Sequence, residues 1–152
     1  MNSEVELAKQ TDVAEIVALC YQVFGENLLE TTGCLPDLDT LVVEVSDVLF
    51  QHVCFVIRDE GKIDGVFLLK VQSPWWSKKP ALYSMMIYVK PEKRSFKSTR
   101  NLLNEAKKYA IMNDLPFVID LFDKKDVKRK VKLLKYMGFK ECGTAFIFNE
   151  EN

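Results

Sequence analysis

Along the chain, the spacing of apolar positions changes repeatedly, and each change marks an element. Val5 and Leu7 alternate with polar neighbours and predict a short strand ending near the small Ala8. Thr11 and Asp12 form a helix-start signal, and Val13, Ile16, Val17, Cys20, Val23 and Phe24 follow at helical spacing. Gly25, Thr31, Thr32, Gly33 and Pro36 mark a loop before a second helix carried by Leu38, Leu41, Val42, Val45, Val48 and Leu49. From His52 onward the pattern shifts to runs rich in Val, Ile and Phe. Val53 to Ile57 and Ile63 to Val71, separated by Asp59-Glu60-Gly61-Lys62, predict a β-hairpin.

After a loop holding Pro74, Trp75, Trp76 and Pro80, Leu82 to Val89 predicts a strand that ends at Lys90-Pro91. Leu102, Leu103, Ala106, Tyr109 and Ala110 define a third amphipathic helix. Phe117 to Leu121, an almost wholly apolar run, is expected as a strand buried between layers. Val127, Val131, Leu134 and Met137 share the face of a fourth helix that stops at Gly138, a left-handed cap. Ala145 to Phe148 is expected as a closing strand, with a further strand over Lys140 to Cys142. The expected order is β-α-α-β-β-β-α-β-α-β-β.

At 152 residues, without a Pro/Gly-rich linker or low-complexity stretch, the chain is expected to form one domain over residues 1–152. Twenty-one basic residues against twenty-two acidic ones leave a formal charge of −1, which gives no general attraction to nucleic acid or to membrane. Met1 to Gln10 lacks the apolar run of a signal peptide and no segment reaches the ~18 apolar residues of a span, so a cytoplasmic protein is expected. Cys20, Cys34, Cys54 and Cys142 form no CxxC pair, and His52 is the sole histidine, which argues against a metal site. Cys20 and Cys54 lie in apolar stretches and read as buried reduced thiols.

The segment of greatest chemical interest is Val89-Lys90-Pro91-Glu92-Lys93-Arg94-Ser95-Phe96-Lys97-Ser98-Thr99-Arg100-Asn101-Leu102-Leu103. A strand that turns straight into a helix leaves backbone N–H groups unpaired, with the positive end of the helix dipole behind them, and a pyrophosphate fits there. Three basic residues at such a helix start are unfavourable unless an anion joins them, although a solvated basic turn is the plainer reading.

This segment resembles the GNAT superfamily of N-acetyltransferases, whose pattern is V-x-P-x-x-[QR]-x-x-G-x-[GA] followed by Leu-Leu. Val89, Pro91, Arg94, Leu102 and Leu103 fall in register, whereas Lys97 and Thr99 stand where glycines are usual. Gly138-Phe139 matches a second family feature, at the end of the penultimate helix. The resemblance implies an α/β (α+β) GNAT fold with a mixed central sheet of six to seven strands and four helices. It implies acetyl-CoA as cofactor, with pantetheine on free backbone groups at about Met86 to Val89, Ile87 and Val89 among them. The pyrophosphate is expected at Arg94, Ser95, Phe96, Lys97, Ser98, Thr99 and Arg100, with Lys97 and the two arginines compensating for the missing glycines.

The implied reaction is direct attack of an amine, on a small molecule or a protein, upon the acetyl thioester. The family's usual acid, a Tyr four residues before the Gly-Phe glycine, is replaced by Leu134, and the Asn seven residues earlier by Val127. Tyr83 stands at the strand position of the family's glutamate base; Tyr83 and Asp120 are the candidate proton carriers. Trp75 and Trp76 read either as the lining of an acceptor pocket or as a loop anchor packed on the sheet. His52 reads as structural or exposed. Lys124, Lys125, Lys128, Arg129, Lys130, Lys132 and Lys135 read as the solvated face of the fourth helix, so a nucleic-acid partner is not expected. A homodimer is compatible with this reading. The Thr31 to Pro36 loop and the Val-x-Pro-Glu-x-Arg turn also look similar to GNAT proteins found in phages. Loss of the two glycines, the acid Tyr and the Asn supports a second class of function, a GNAT-fold binding module acting through cofactor or protein contacts.

Overall fold

The computed structural model of the chain describes residues 4–27, 32–121 and 126–143. The strand expected over Ala145 to Phe148 lies outside them. Within them run β1 (Val5–Leu7), α1 (Val13–Asn27), α2 (Leu38–Gln51), β2 (Val53–Asp59), β3 (Lys62–Gln72), β4 (Ala81–Val89), α3 (Phe96–Met112), β5 (Phe117–Val118) and α4 (Val127–Tyr136). The strands form one mixed sheet in the order β1-β2-β3-β4-β5. β1 to β4 pair antiparallel in sequence, and β5 joins β4 parallel.

The long apolar runs of β2 and β3 arise because both faces of the sheet are covered. Val56, Val66 and Leu68 enter a core with Ile16, Cys20, Val45 and Val48 of α1 and α2. Their neighbours Phe55, Ile57, Phe67 and Leu69 enter a second core with Leu102, Leu103 and Ala106 of α3 and with Met137. Alternation therefore persists in which layer each residue meets, not in its polarity.

Local chemistry sets the connections. The β2–β3 turn places Glu60 at φ 48° and Gly61 at φ 78°, the two left-handed residues of a tight hairpin turn that fits the twist of its strands. α2 begins at Asp37, whose carboxylate accepts from the Thr40 amide at 2.8 Å. β1, the entry to α1 and β2 are tied by Arg58, which donates to Glu6 at 2.6 Å and to the buried Asp12 at 2.8 Å. Asp12 also accepts the Lys9 amide at 2.7 Å.

Among the described residues the sheet has five strands rather than six or seven. Lys140 to Cys142 is not a strand: all three side chains are exposed, so no apolar face presses the segment against the sheet. The strand expected over Phe117 to Leu121 pairs only at Phe117 and Val118, and its residues are half-buried, apart from the exposed Asp120. Cys20 and Cys54 are buried free thiols as expected; burial pushes the Cys20 thiol up to about 12 and raises Cys54 as well.

Candidate cofactor and catalytic site

Two irregularities at the ends of the central strands shape the candidate site. Ile57 pairs with Gly65 and Arg58 with Ile63, so Asp64 bulges out of β3. Its carbonyl accepts the Lys90 amide at 2.8 Å, and its buried carboxylate lies 3.5 Å from the Lys90 ammonium and 3.8 Å from that of Lys93. Lys93 also donates to Asp59 at 2.9 Å, which holds the Asp59 carboxyl below the ordinary carboxylate range. The hairpin thus grips the turn that follows β4.

That turn is a short 3-10 segment, Pro91–Lys93, followed by the extended Arg94 and then by Ser95, the N-cap of α3. The Ser95 hydroxyl accepts the Ser98 amide at 3.0 Å while the Ser98 hydroxyl accepts the Ser95 amide at 3.0 Å, a reciprocal box that fixes the helix start. Beyond it, a 17-residue helix directs its positive end at the turn. Ser95, Phe96 and Lys97 are exposed there, and Ser98, Thr99 and Arg100 are half-buried. A groove of about 870 Å³ runs from Lys93, Ser95, Lys97 and Ser98 along α3 past Asn101 and Asn104 to Lys107, with Glu4 and Val5 also lining it.

Arg94 is already engaged. Its Nε and Nη2 donate to the Val89 carbonyl at 3.2 and 3.1 Å, and its guanidinium lies 5.7 Å from the centre of the Tyr88 ring. Val89 is buried and Ile87 half-buried, both in the core beneath α3.

The second irregularity is a split. β4 and β5 pair only at Leu82 with Phe117 and Tyr83 with Val118, and from Ser84 to Val89 β4 has no β5 partner among the described residues. Leu68 pairs with Met86 and Leu69 with Ser84, so a bulge at Met85 bends β4 where it leaves β5. At the fork, the Asp120 amide donates to the Ser84 hydroxyl at 3.1 Å. Tyr83, half-buried, occupies the last ladder pair. The structure therefore brings Tyr83 and Asp120 to one fork, but Asp120 is exposed instead of enclosed in an apolar strand, because β5 ends two residues before it.

Leu134 is half-buried in the second core, and Val127 is exposed. Tyr136 projects elsewhere, with its ring 6.4 Å from that of Phe96. Trp75 and Trp76 are 95% and 70% exposed and meet edge to face at 5.8 Å, which overturns the reading of a loop anchor packed on the sheet. His52 is structural: its Nδ1 accepts the Val71 amide at 3.2 Å and its Nε2 lies 3.4 Å from Asp47, joining the end of α2 to β3.

Sequence reasoning missed Asp59, Asp64, Lys90 and Ser84. The Asp-rich hairpin was visible, but its reach to the β4 turn depends on a bulge with no sequence signature. Among the described residues no group of three or more His, Cys, Asp or Glu side chains is placed to hold a metal, and no helix is long and apolar enough to cross a membrane.

An antiparallel meander extended by a parallel strand, forked at that junction and turning straight from β4 into a helix, is the GNAT acetyltransferase fold. Solved structures carry the comparison. The chain is similar to a possible acetyltransferase from Clostridium difficile 630, with TM-score 0.71, 19% identity, and 97% and 96% of the two chains covered. It is similar to an aminoglycoside N-acetyltransferase solved with CoA, with TM-score 0.71 and 13% identity over 98% of this chain and 95% of that one. A ribosomal-protein-alanine N-acetyltransferase from Brucella melitensis biovar Abortus 2308 matches with TM-score 0.69 and 13% identity over 96% and 97%. No family model and no curated protein matches the sequence.

Proposed function

We propose that the protein is an acetyl-CoA-dependent N-acetyltransferase acting on an amine of a small molecule or a protein, and that residues 1–152 work as one domain. The observation that carries this reading is the β4–β5 fork opening directly before a capped helix start. Backbone groups of β4 left without a ladder partner can accept and donate to an extended amide chain such as pantetheine, from the fork along Ile87 to Val89. Ser95 to Thr99 present helix-start amides to a pyrophosphate, with Lys97 and Arg100 adding charge. The residues present fit the cofactor on these grounds. Bound acetyl-CoA supplies a thioester whose carbonyl is open to attack by an amine.

The chain's own part is positioning and proton handling. Tyr83 and Asp120, both at the fork, are the proposed proton carriers: the exposed carboxylate of Asp120 to accept a proton from the acceptor amine, the Tyr83 hydroxyl to donate or relay. The Asp120 amide held on Ser84 fixes the chain at that point. Neighbours of this fold include an aminoglycoside and a ribosomal-protein-alanine acetyltransferase, which supports an amine acceptor while spanning both classes. A cytoplasmic setting, a homodimer and kinship with phage-borne GNAT proteins belong to the same proposal.

Leu134, half-buried where the family's acid tyrosine stands, favours a second reading, a GNAT-fold module that binds cofactor without turnover. Calorimetric titration with acetyl-CoA, followed by a thiol-release assay over a panel of amines, separates them. Binding with thiol release supports the enzyme, binding alone supports the module, and no binding at millimolar cofactor removes both.

A further inference from the structure

Charge is divided unevenly along this chain. Of its 21 lysines and arginines, 15 fall between residues 90 and 140, where only 6 of the 22 acidic residues lie. The near-neutral total therefore conceals a strongly positive segment joined to a negative remainder. In the fold, α3 and α4 gather that segment on one side of the sheet, opposite α1 and α2.

Many of these cations have an internal task. Lys90 and Lys93 face Asp64 and Asp59, Lys107 donates to the Met137 carbonyl at 2.6 Å, Lys108 pairs with Glu105, and Lys135 lies 3.6 Å from Glu141. Arg129 and Lys132, both exposed, make no ion pair among the described residues. They share one face of α4 with Tyr136, since positions three, four and seven residues apart align along a helix. Tyr136 is 75% exposed and its ring lies 6.4 Å from that of Phe96, which is 49% exposed; the Arg100 guanidinium sits 5.6 Å from the centre of the Phe96 ring. The result is a continuous track, Arg129, Lys132, Tyr136, Phe96, Arg100, in which cations flank two adjoining solvent-facing aromatic rings. From Arg129 to Tyr136 alone it spans about 10 Å of helix axis.

We propose that this track binds single-stranded nucleic acid, with Arg129 and Lys132 on phosphates and with the exposed Tyr136 ring, backed by Phe96, stacking on an unpaired base. Cations that follow a backbone and aromatic faces that stack its bases are the two elements of sequence-tolerant single-strand binding. The aromatic interleaving absent from the linear sequence of α4 is supplied in space, by Phe96 from α3. A duplex would meet the cations but keep its base faces hidden, and an acidic peptide would leave the two rings without a task.

Phe96 and Arg100 also belong to the proposed cofactor turn, so the test is built on Arg129, Lys132 and Tyr136. Fluorescence anisotropy is measured with a fluorescein-labelled oligothymidylate and with the same strand in duplex form, at about 50 mM and about 200 mM salt. The single strand is expected to bind more tightly than the duplex, with affinity falling steeply as salt rises. The R129E/K132E double variant should weaken binding at least about tenfold and flatten the salt slope by about one to two. Tyr136→Ala should weaken single-strand binding about fivefold or more with the slope unchanged, and Tyr136→Phe should restore it. Thermal melting of each variant checks that the fold is intact, and acetyl-CoA titration of R129E/K132E should match the parent, which keeps this test separate from the cofactor reading. Absence of binding at low salt overturns the proposal. So does equal binding of duplex and single strand with Tyr136→Ala unaffected, or competition by polyglutamate as strong as by oligonucleotide.

Discussion

The guanidinium of Arg94 closes back on the carbonyl oxygen of Val89, with Nε at 3.2 Å and Nη2 at 3.1 Å. The contact spans the turn between β4 and α3, so Arg94, a candidate pyrophosphate contact, also fixes the shape of the turn. Arg94→Ala should therefore lower the melting temperature by about 2–4 °C, the shift that ~1 kcal/mol produces in a domain of this size. It should also weaken acetyl-CoA about tenfold. Lysine at this position restores the charge without the planar guanidinium, and should recover only part of the lost affinity and of the lost stability. Melting curves with and without acetyl-CoA read both effects; a loss of stability with unchanged affinity would make Arg94 a clamp of the turn and nothing more.

If the fork at Tyr83 and Asp120 is catalytic, Tyr83→Phe or Asp120→Asn should reduce thiol release by about 10²- to 10⁴-fold, the usual contribution of a positioned acid or base. Acetyl-CoA affinity should stay within about twofold of the parent, because a proton carrier acts on the barrier and not on cofactor binding. Parent-like turnover in both variants would send the search for the proton carrier elsewhere on the fork.

The buried Asp12 supplies a pH-dependent contribution to stability. Burial pushes its carboxyl up, but the hydrogen bonds from Arg58 and from the Lys9 amide outweigh that push and leave it below the ordinary carboxylate range. A depressed folded value means the stabilisation is complete above the unfolded value, about 4, and is lost as pH falls through the folded one. Asp12→Asn should cost about 2 kcal/mol at neutral pH. The gap between variant and parent should narrow below about pH 4, as melting curves across that range would record.

Gly138 ends α4 at φ 92°, and a Cβ placed there would meet nothing within 4 Å. Any effect of Gly138→Ala is thus conformational, and should be a destabilisation of about 1 kcal/mol. Urea denaturation measures it; a stabilised variant would mean that the cap relaxes into a right-handed turn.

The helices and the β2–β3–β4 meander were legible because burial of a face or of both sheet sides writes a period into the sequence. Ile16, Val17 and Cys20 show the helical spacing, and the Val53–Ile57 run shows the doubly covered strand. Asp120 lies in a run, Phe117 to Leu121, that is otherwise wholly apolar and so predicts enclosure, whereas a strand that parts from its neighbour after two pairs leaves Ile119 and Leu121 half-covered and Asp120 exposed. Leu38 and Val42 fit the period of α2 yet are exposed, since period shows which residues share a face and not how far the facing layer extends. The bulges at Asp64 and Met85, and the return of the Arg94 guanidinium to the Val89 carbonyl, were invisible because each depends on the folded backbone around the strand ends, which spacing along one strand does not encode.

The fork also bears on how the molecule breathes. β2, β3 and β4 are laced together along nearly their full lengths, while β5 is attached to β4 by two residue pairs, reinforced by the Leu82 amide on the Pro116 carbonyl at 2.8 Å and the Asp120 amide on Ser84. The same opening that leaves β4 edge groups unpaired makes β5 the most lightly laced strand of the sheet among the described residues, and so the one that opens at least cost. The amides of Val118 and Asp120, which face β4, should then exchange with deuterium by local opening, well ahead of those at Phe55 and Phe67. A ligand wedged into the fork should slow them selectively, so solvent exchange at two backbone amides becomes a direct gauge of occupancy, one that requires no knowledge of the acceptor.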